Sequence, residues 1–144
     1  MIRKINIDDK ENWKKLYIGY ADFYKSPIND KILDTVWGWI IDENHELKGI
    51  VYEIDGNLVA LAHYRAMPRP LRGKYIGFLD DLYVDPTYRN QKIAQKLMNE
   101  IKVISKSKKW GLVRWITRQD NIKGKSLYDK ISEKTNWEVY EMKQ

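Results

Sequence analysis

The chain has 144 residues, 43% hydrophobic and 32% charged, with a formal net charge of +6. That is enough for one packed core and too little for two, and so apolar and aromatic a composition excludes a disordered chain. The absence of cysteine excludes disulfides, thiolate metal sites and cysteine nucleophiles, His45 and His63 are too few for a histidine-rich metal centre, and no apolar run is long enough to span a membrane. The reading is therefore one domain over 1–144, cytoplasmic, with no metal and no membrane partner.

Arg3–Ile7 reads as a first strand. A helix follows from Asp9, with Trp13, Leu16, Tyr17, Tyr20 and Tyr24 on one face at spacings of three and four, until Ser26-Pro27 breaks it. A second helix is expected over Asp30–Asp42, burying Ile32 or Leu33, Val36, Trp37, Ile40 and Ile41. Lys48–Ile54 and Leu58–Ala66 read as strands of a hairpin turning at Asp55-Gly56-Asn57. Pro68, Pro70 and Gly73 mark a loop before a strand at Tyr75–Val84. A long amphipathic helix is expected from Arg89 to about Lys106, with Ile93, Ala94, Leu97, Met98, Ile101 and Ile104 inward. Leu112–Thr117 reads as a strand, Ile122–Lys134 as a helix and Trp137–Met142 as a last strand. This order gives an α/β (α+β) domain with a mixed sheet.

Charge is segregated along the chain. Residues 1–84 carry 12 Lys/Arg against 13 Asp/Glu, and residues 85–144 carry 14 against 7. A basic half suits a polyanionic ligand. Its most suggestive segment is the turn Asp85-Pro86-Thr87-Tyr88-Arg89-Asn90-Gln91-Lys92-Ile93-Ala94, where a strand runs through a basic turn into a helix start. Free backbone N–H groups and positive charge meet there, an arrangement that holds a pyrophosphate. The preceding strand carries Asp80 and Asp81, and two adjacent carboxylates in an apolar strand are costly unless something uses or compensates them. Regular alternation sends them to opposite faces, leaving one as a base and the other to orient substrate or anchor a neighbour. His63 is an alternative base.

Taken together, Leu79-Asp80-Asp81-Leu82-Tyr83-Val84, the turn Arg89 to Ala94, Asn121, and Leu127-Tyr128 resemble the GNAT N-acetyltransferases, in the branch linked to histone, polyamine and amino-acid acetylation. The resemblance implies a GNAT fold, with a mixed central sheet of six to seven strands, about four helices and a splayed parallel strand pair that admits acetyl-CoA. By the same resemblance, Leu82, Tyr83 and Val84 pair through their backbone with the pantetheine arm. Arg89, Asn90, Gln91, Lys92, Ile93 and Ala94 cradle the pyrophosphate, and Asn121 bonds the pantetheine amide. Lys92 departs from the family, which carries glycine there. Asp80 stands where the family has its catalytic glutamate and, one methylene shorter, would work through a water. Tyr128 stands where a tyrosine protonates the leaving thiolate.

The implied reaction is acetyl transfer from acetyl-CoA to a primary amine, on a small molecule or a protein lysine, within a ternary complex. Tyr20, Tyr24, His63 and Asp81 are expected to line the acceptor site, and a homodimer is the expected assembly. Two rivals stay open. A GNAT-like domain binding acyl-CoA without catalysis predicts binding with no turnover; a basic nucleic-acid-binding module, suggested by Lys106, Lys108, Lys109 and Trp110, predicts steep salt dependence and no role for Tyr128.

Overall fold

The computed structural model describes all residues 1–144. Strand β1 (Ile2–Lys4) leads through a short 3₁₀ turn (Ile7–Asp9) into helix α1 (Lys10–Phe23). The turn is a capping box: the Asn6 side chain accepts from Asp8 N–H, and Asp9 accepts the Asn6 N–H at 2.8 Å. Arg3 donates to both Asp9 oxygens (2.8 and 2.9 Å) and to Glu53 at 3.0 Å, tying β1, the turn and the next strand together.

Helix α2 (Asp30–Ile41) is capped by the Asn29 side chain and buries Leu33, Val36, Trp37 and Ile40, leaving Ile32 exposed. Strands β2 (Lys48–Ile54) and β3 (Asn57–Arg69) form the expected hairpin. Asp55 and Gly56 both have positive φ, the backbone that a tight two-residue hairpin turn requires. A 3₁₀ turn precedes β4 (Lys74–Val84), and another, Pro86–Tyr88, follows it. Helix α3 (Ile93–Ser107), strand β5 (Val113–Arg114) and helix α4 (Ile122–Ile131) complete the regular structure.

The five strands lie in sequence order, antiparallel except for β4 and β5. That parallel pair is joined only at Gly77–Val113 and Phe78–Arg114 and then separates, giving the expected splay. One face of the sheet packs α1 and α2 through Trp13, Leu16, Leu33, Trp37, Val51 and Leu61. The other packs α3 through Val59, Ala62, Leu79, Leu97, Ile101 and Trp110. Gly19 lets α1 lie close on β4, since a Cβ there would come within 2.6 Å of the Tyr83 hydroxyl.

Three expectations are corrected. The sheet has five strands rather than six or seven, because Trp137–Met142 is not a strand. It has no backbone partner, and Trp137, Val139, Tyr140 and Met142 are exposed. Strand β5 is two residues long rather than six, since beyond Arg114 nothing pairs with it. Helix α3 begins at Ile93 rather than Arg89, because Asn90 and Lys92 adopt left-handed backbone (φ 65° and 59°), which no α-helix continues through. No helix is long and apolar enough to cross a membrane.

Candidate active site

The site starts from an irregularity in β4. His63 of β3 pairs with Asp81, but the next residue, Tyr64, pairs with Leu79, so Asp80 is an extra residue in a β-bulge. The pleat changes phase there: Leu82 and Leu79, three apart, both face α3, which strict alternation forbids. The sequence-based expectation that Asp80 and Asp81 point to opposite faces is therefore overturned. Both line one open cleft of about 540 Å³, walled by Tyr17 and Tyr20 of α1 and Tyr24 just past its end, Pro27, Ile28 and Ile32 beyond, and Ile116, Thr117 and Arg118 after β5.

The two carboxylates have opposite surroundings. Asp80 takes the Arg65 Nε–H on both oxygens (3.0 and 3.2 Å), yet burial outweighs this ion pair and raises its pKa above the usual carboxylate range. Burial pushes Asp81 in the same direction, but hydrogen bonds from His63, Tyr20 and Tyr17 win and hold it below that range. Asp81 Oδ2 receives the Tyr17 hydroxyl at 3.0 Å and faces His63 Nδ1 at 2.8 Å. Trp13 Nε1–H donates to His63 Nε2 at 2.9 Å. An indole nitrogen only donates, so Nε2 is the acceptor, the proton sits on Nδ1, and His63 is neutral. His63 is fully buried with both nitrogens used. It lies beneath the cleft wall, placed to hold Asp81 rather than to touch an acceptor.

The tyrosines form a continuous wall. Tyr17 and Tyr20 stack at 5.7 Å, and Tyr20 meets Tyr24 edge-on at 5.0 Å. Tyr128 packs edge-to-face on Trp115 at 5.3 Å. Burial, reinforced by Tyr24, pushes its phenol up to about 12, so it carries its proton at any working pH. Asn121 caps α4: its Oδ1 accepts the Gly124 N–H at 3.2 Å and its Nδ2 donates to Thr117 Oγ1 at 2.9 Å. A side chain at Gly124 would collide with that amide, so glycine here is a packing requirement and not merely a weak helix former.

At the other end of the splay the turn from Arg89 to Ala94 forms a cradle of free backbone donors. None of the backbone N–H groups from Asn90 to Gln95 donates within the chain; the first helical bond of α3 is from Lys96 N–H to Lys92 C=O. Alternating left-handed residues gather these donors into a concavity of the kind that binds phosphates, backed by the N-terminus of a 15-residue helix. The left-handed φ of Lys92 is one that glycine adopts without a Cβ penalty. Lys92 keeps the geometry at the expense of backbone strain. Arg89 instead braces the turn, donating to Val84 C=O at 3.3 Å with its guanidinium over the Phe23 and Tyr83 rings.

The strand edge between cleft and cradle is also defined. Asp85 N–H bonds Val59 C=O, which sets the antiparallel parity: Tyr83 bonds β3, whereas Leu82 and Val84 turn their backbone groups toward the splay. Sequence reasoning named Asp80, Asp81, Tyr20 and Tyr24, which line the cleft, and Leu82 and Val84, which lie on the strand edge that leads from it to the turn. It missed Arg65 and Arg118, and the pairing of Trp13 with His63, because such contacts depend on register and on the bulge. The only forewarning was Trp13 and Tyr17, four apart on the face of α1 that meets the sheet.

This geometry, a cradle of backbone donors and a carboxylate-lined cleft joined by a splayed strand pair, can be compared with known proteins. The chain matches the Acetyltransferase (GNAT) family over residues 13–132. D-amino-acid N-acetyltransferase HPA3 of Saccharomyces cerevisiae is 26% identical over 144 residues, covering 97% of this chain and 88% of that protein. Ribosomal-protein-alanine N-acetyltransferase from Brucella melitensis superposes with a TM-score of 0.82 at 21% identity, covering 100% of this chain and 99% of the other. Aminoglycoside N-acetyltransferase AAC(6')-Iy, in complex with CoA, superposes with a TM-score of 0.86 at 17% identity, covering 100% and 94%. With a family match across most of its length and that fold throughout, the chain belongs to the GNAT family and is an acetyltransferase.

Proposed function

We propose that the protein is an acetyl-CoA-dependent N-acetyltransferase that acetylates a primary amine by direct transfer in a ternary complex. The observation that carries this reading is the pair of carboxylates pushed apart in pKa on one cleft wall, at the end of a splay whose other end is an unsatisfied anion cradle. The relatives' names support an amine acceptor, since they specify D-amino acids, an aminoglycoside and a protein alanine.

The pyrophosphate of acetyl-CoA lies in the cradle of Asn90 to Gln95, with the ammonium of Lys92 nearby. Its pantetheine arm runs along Leu82 and Val84, beside Asn121. Asp80, through a water, takes the proton from the acceptor ammonium; the raised pKa suits a base. The amine nitrogen attacks the thioester carbonyl carbon, and the Leu82 N–H, unused by β3, holds the oxyanion. The C–S bond then breaks, and the departing CoA thiolate takes its proton from Tyr128. The same reading makes the protein a cytoplasmic homodimer, supported by the uncovered apolar residues of its C-terminal segment.

The test is thiol release from acetyl-CoA over an amine panel. Tyr128→Phe and Asp80→Asn should each lower kcat by about 10²-fold or more, the usual scale for losing a general acid or base. Activity in both variants close to that of the native protein would refute the assigned roles.

A further inference from the structure

Arg65 stands opposite Phe78 in the β3–β4 ladder, and Tyr64 stands opposite Leu79. Tyr64 and Leu79 pack toward α3, so Arg65 and Phe78 face the other side of the sheet, on which Asp80 lines the cleft. Asp80, two residues beyond Phe78, lies diagonally across from Arg65. The Arg65 guanidinium carbon sits 4.8 Å from the centre of the Phe78 ring, and its Nε–H is shared by both Asp80 oxygens at 3.0 and 3.2 Å. Arg65 donates to no other acceptor in the chain, and no other cation pairs with Asp80.

This contact holds together nothing that the ladder does not already hold. Strands β3 and β4 pair from Ala60–Val84 to Arg69–Lys74, and an ion pair whose side chains are 35% and 26% exposed adds little stability. What it fixes is the plane of the carboxylate. A bulged residue has no partner across the ladder, so the Asp80 side chain is free to turn unless something holds it. One N–H shared between the two oxygens leaves the remaining lone pairs for water and the acceptor. We propose that Arg65, braced by the Phe78 ring, is a positioning residue of the reaction that holds the Asp80 carboxylate turned into the cleft. This rests on the reading above in which Asp80 is the base.

Arg65 has a second consequence at the same point. Burial and the neighbouring Asp81 charge both raise the Asp80 pKa, and Arg65 opposes them. The other titratable or charged groups around Asp80 are the neutral His63 of β3, Tyr17 and Tyr20 of α1, Tyr24 just past its end, and Arg118, which pairs with Asp120. Without Arg65, Asp80 holds its proton to a higher pH. A carboxyl is a base only when ionised, so the acid side of the rate profile reports the loss.

The experiment follows kcat and kcat/KM against pH for the native protein, Arg65→Gln, Arg65→Lys and Asp80→Asn, with acetyl-CoA and the best amine of the panel. Arg65→Gln should move the acid limb to higher pH. On that limb its deficit should be about tenfold larger than on the plateau, the scale of one opposite charge beside a carboxylate. Arg65→Lys should return the limb toward its native position but leave the plateau kcat severalfold low, because a compact ammonium reproduces neither the planar fork nor its stacking on Phe78. In both variants Tm and the KM for acetyl-CoA should stay near native, whereas a substitution that merely loosened the sheet would change them and leave the limb in place. An unmoved limb in Arg65→Gln, or a native plateau in Arg65→Lys, overturns the inference. Should Arg65→Gln not fold, Phe78→Leu decides: freeing the guanidinium should lower the plateau kcat, and a native kcat overturns the inference. A native rate in Asp80→Asn removes the base assignment, and this inference with it, while leaving acetyl transfer intact. No thiol release with any amine overturns the proposed function itself.

Discussion

Lys92 is the sharpest departure from the family's pattern, and two substitutions separate what its backbone does from what its charge does. A residue with a Cβ held at φ 59° costs about 1–2 kcal/mol relative to the right-handed region. Glycine removes that cost but adds about 0.5–1 kcal/mol through its freer unfolded chain. Alanine keeps the strain. Both variants lose the ammonium, so the comparison of Lys92→Gly with Lys92→Ala isolates the backbone term. Glycine should be the more stable by about 1 kcal/mol, which for a domain of this size is about 2–4 °C in Tm. On the ligand side the two should behave alike. Removing one exposed positive charge a few ångströms from a phosphate costs about 1 kcal/mol, so acetyl-CoA should bind about fivefold more weakly at low salt. The gap to the native protein should close as salt is raised. The assays are thermal unfolding and calorimetric titration. Equal Tm values for the two variants, or a less stable glycine variant, would refute the strained-turn account. Unchanged affinity in both would place the ammonium away from the phosphates.

Three further outcomes follow from the contacts. Asp9→Asn should cost about 2 kcal/mol at neutral pH by loosening the two-pronged contact with Arg3. Because Arg3 lowers the Asp9 pKa in the folded state, that stability is fully present above the ordinary carboxylate pKa and is lost as pH falls through the lowered folded value. Denaturant titrations should therefore show a gap between native and variant that is flat from about pH 5 to 8 and shrinks in acid. Gly124→Ala should not raise Tm despite alanine's helix preference of about 1 kcal/mol, because the added methyl displaces the Asn121 cap, worth about the same. A rise of several degrees would show that the cap adjusts freely. If the proposed homodimer forms through the exposed C-terminal segment, light scattering should give twice the chain mass for the native protein and a monomer when Trp137 and Tyr140 are both replaced by glutamate; a monomeric native protein would overturn the dimer, and an unchanged dimer mass in the variant would overturn this contact.

The sequence carried the periodic and the punctuated parts of the fold well. The 3.6-residue spacing marked α1, α2 and α3, Asp55-Gly56 marked the hairpin, and Asp85-Pro86 marked the end of β4 and the turn toward α3. What it hid depends on pairing between distant segments. The bulge at Asp80 is set by the register of β3 on β4, and nothing in Leu79-Asp80-Asp81-Leu82 distinguishes a bulged strand from a flat one. The Trp13–His63–Asp81 chain of contacts spans three elements, so no local pattern announces it. Lys92 was visible as an exception to the family's glycine, but its left-handed backbone is conformational and not readable from composition. The Trp137–Met142 segment has a strand's residues and lacks a strand's neighbour, and strands exist only in pairs.

The central claim is that the cradle and the cleft act together on two substrates bound at once. Its most direct test is the initial velocity of thiol release with acetyl-CoA and the best amine of the panel varied against each other, with the acetylated amine confirmed by mass. The account predicts amine-dependent release with double-reciprocal lines that intersect. Parallel lines would mean an acetyl-enzyme intermediate, and acetyl-CoA binding with no amine-dependent release would reduce the protein to a carrier; either result contradicts the account.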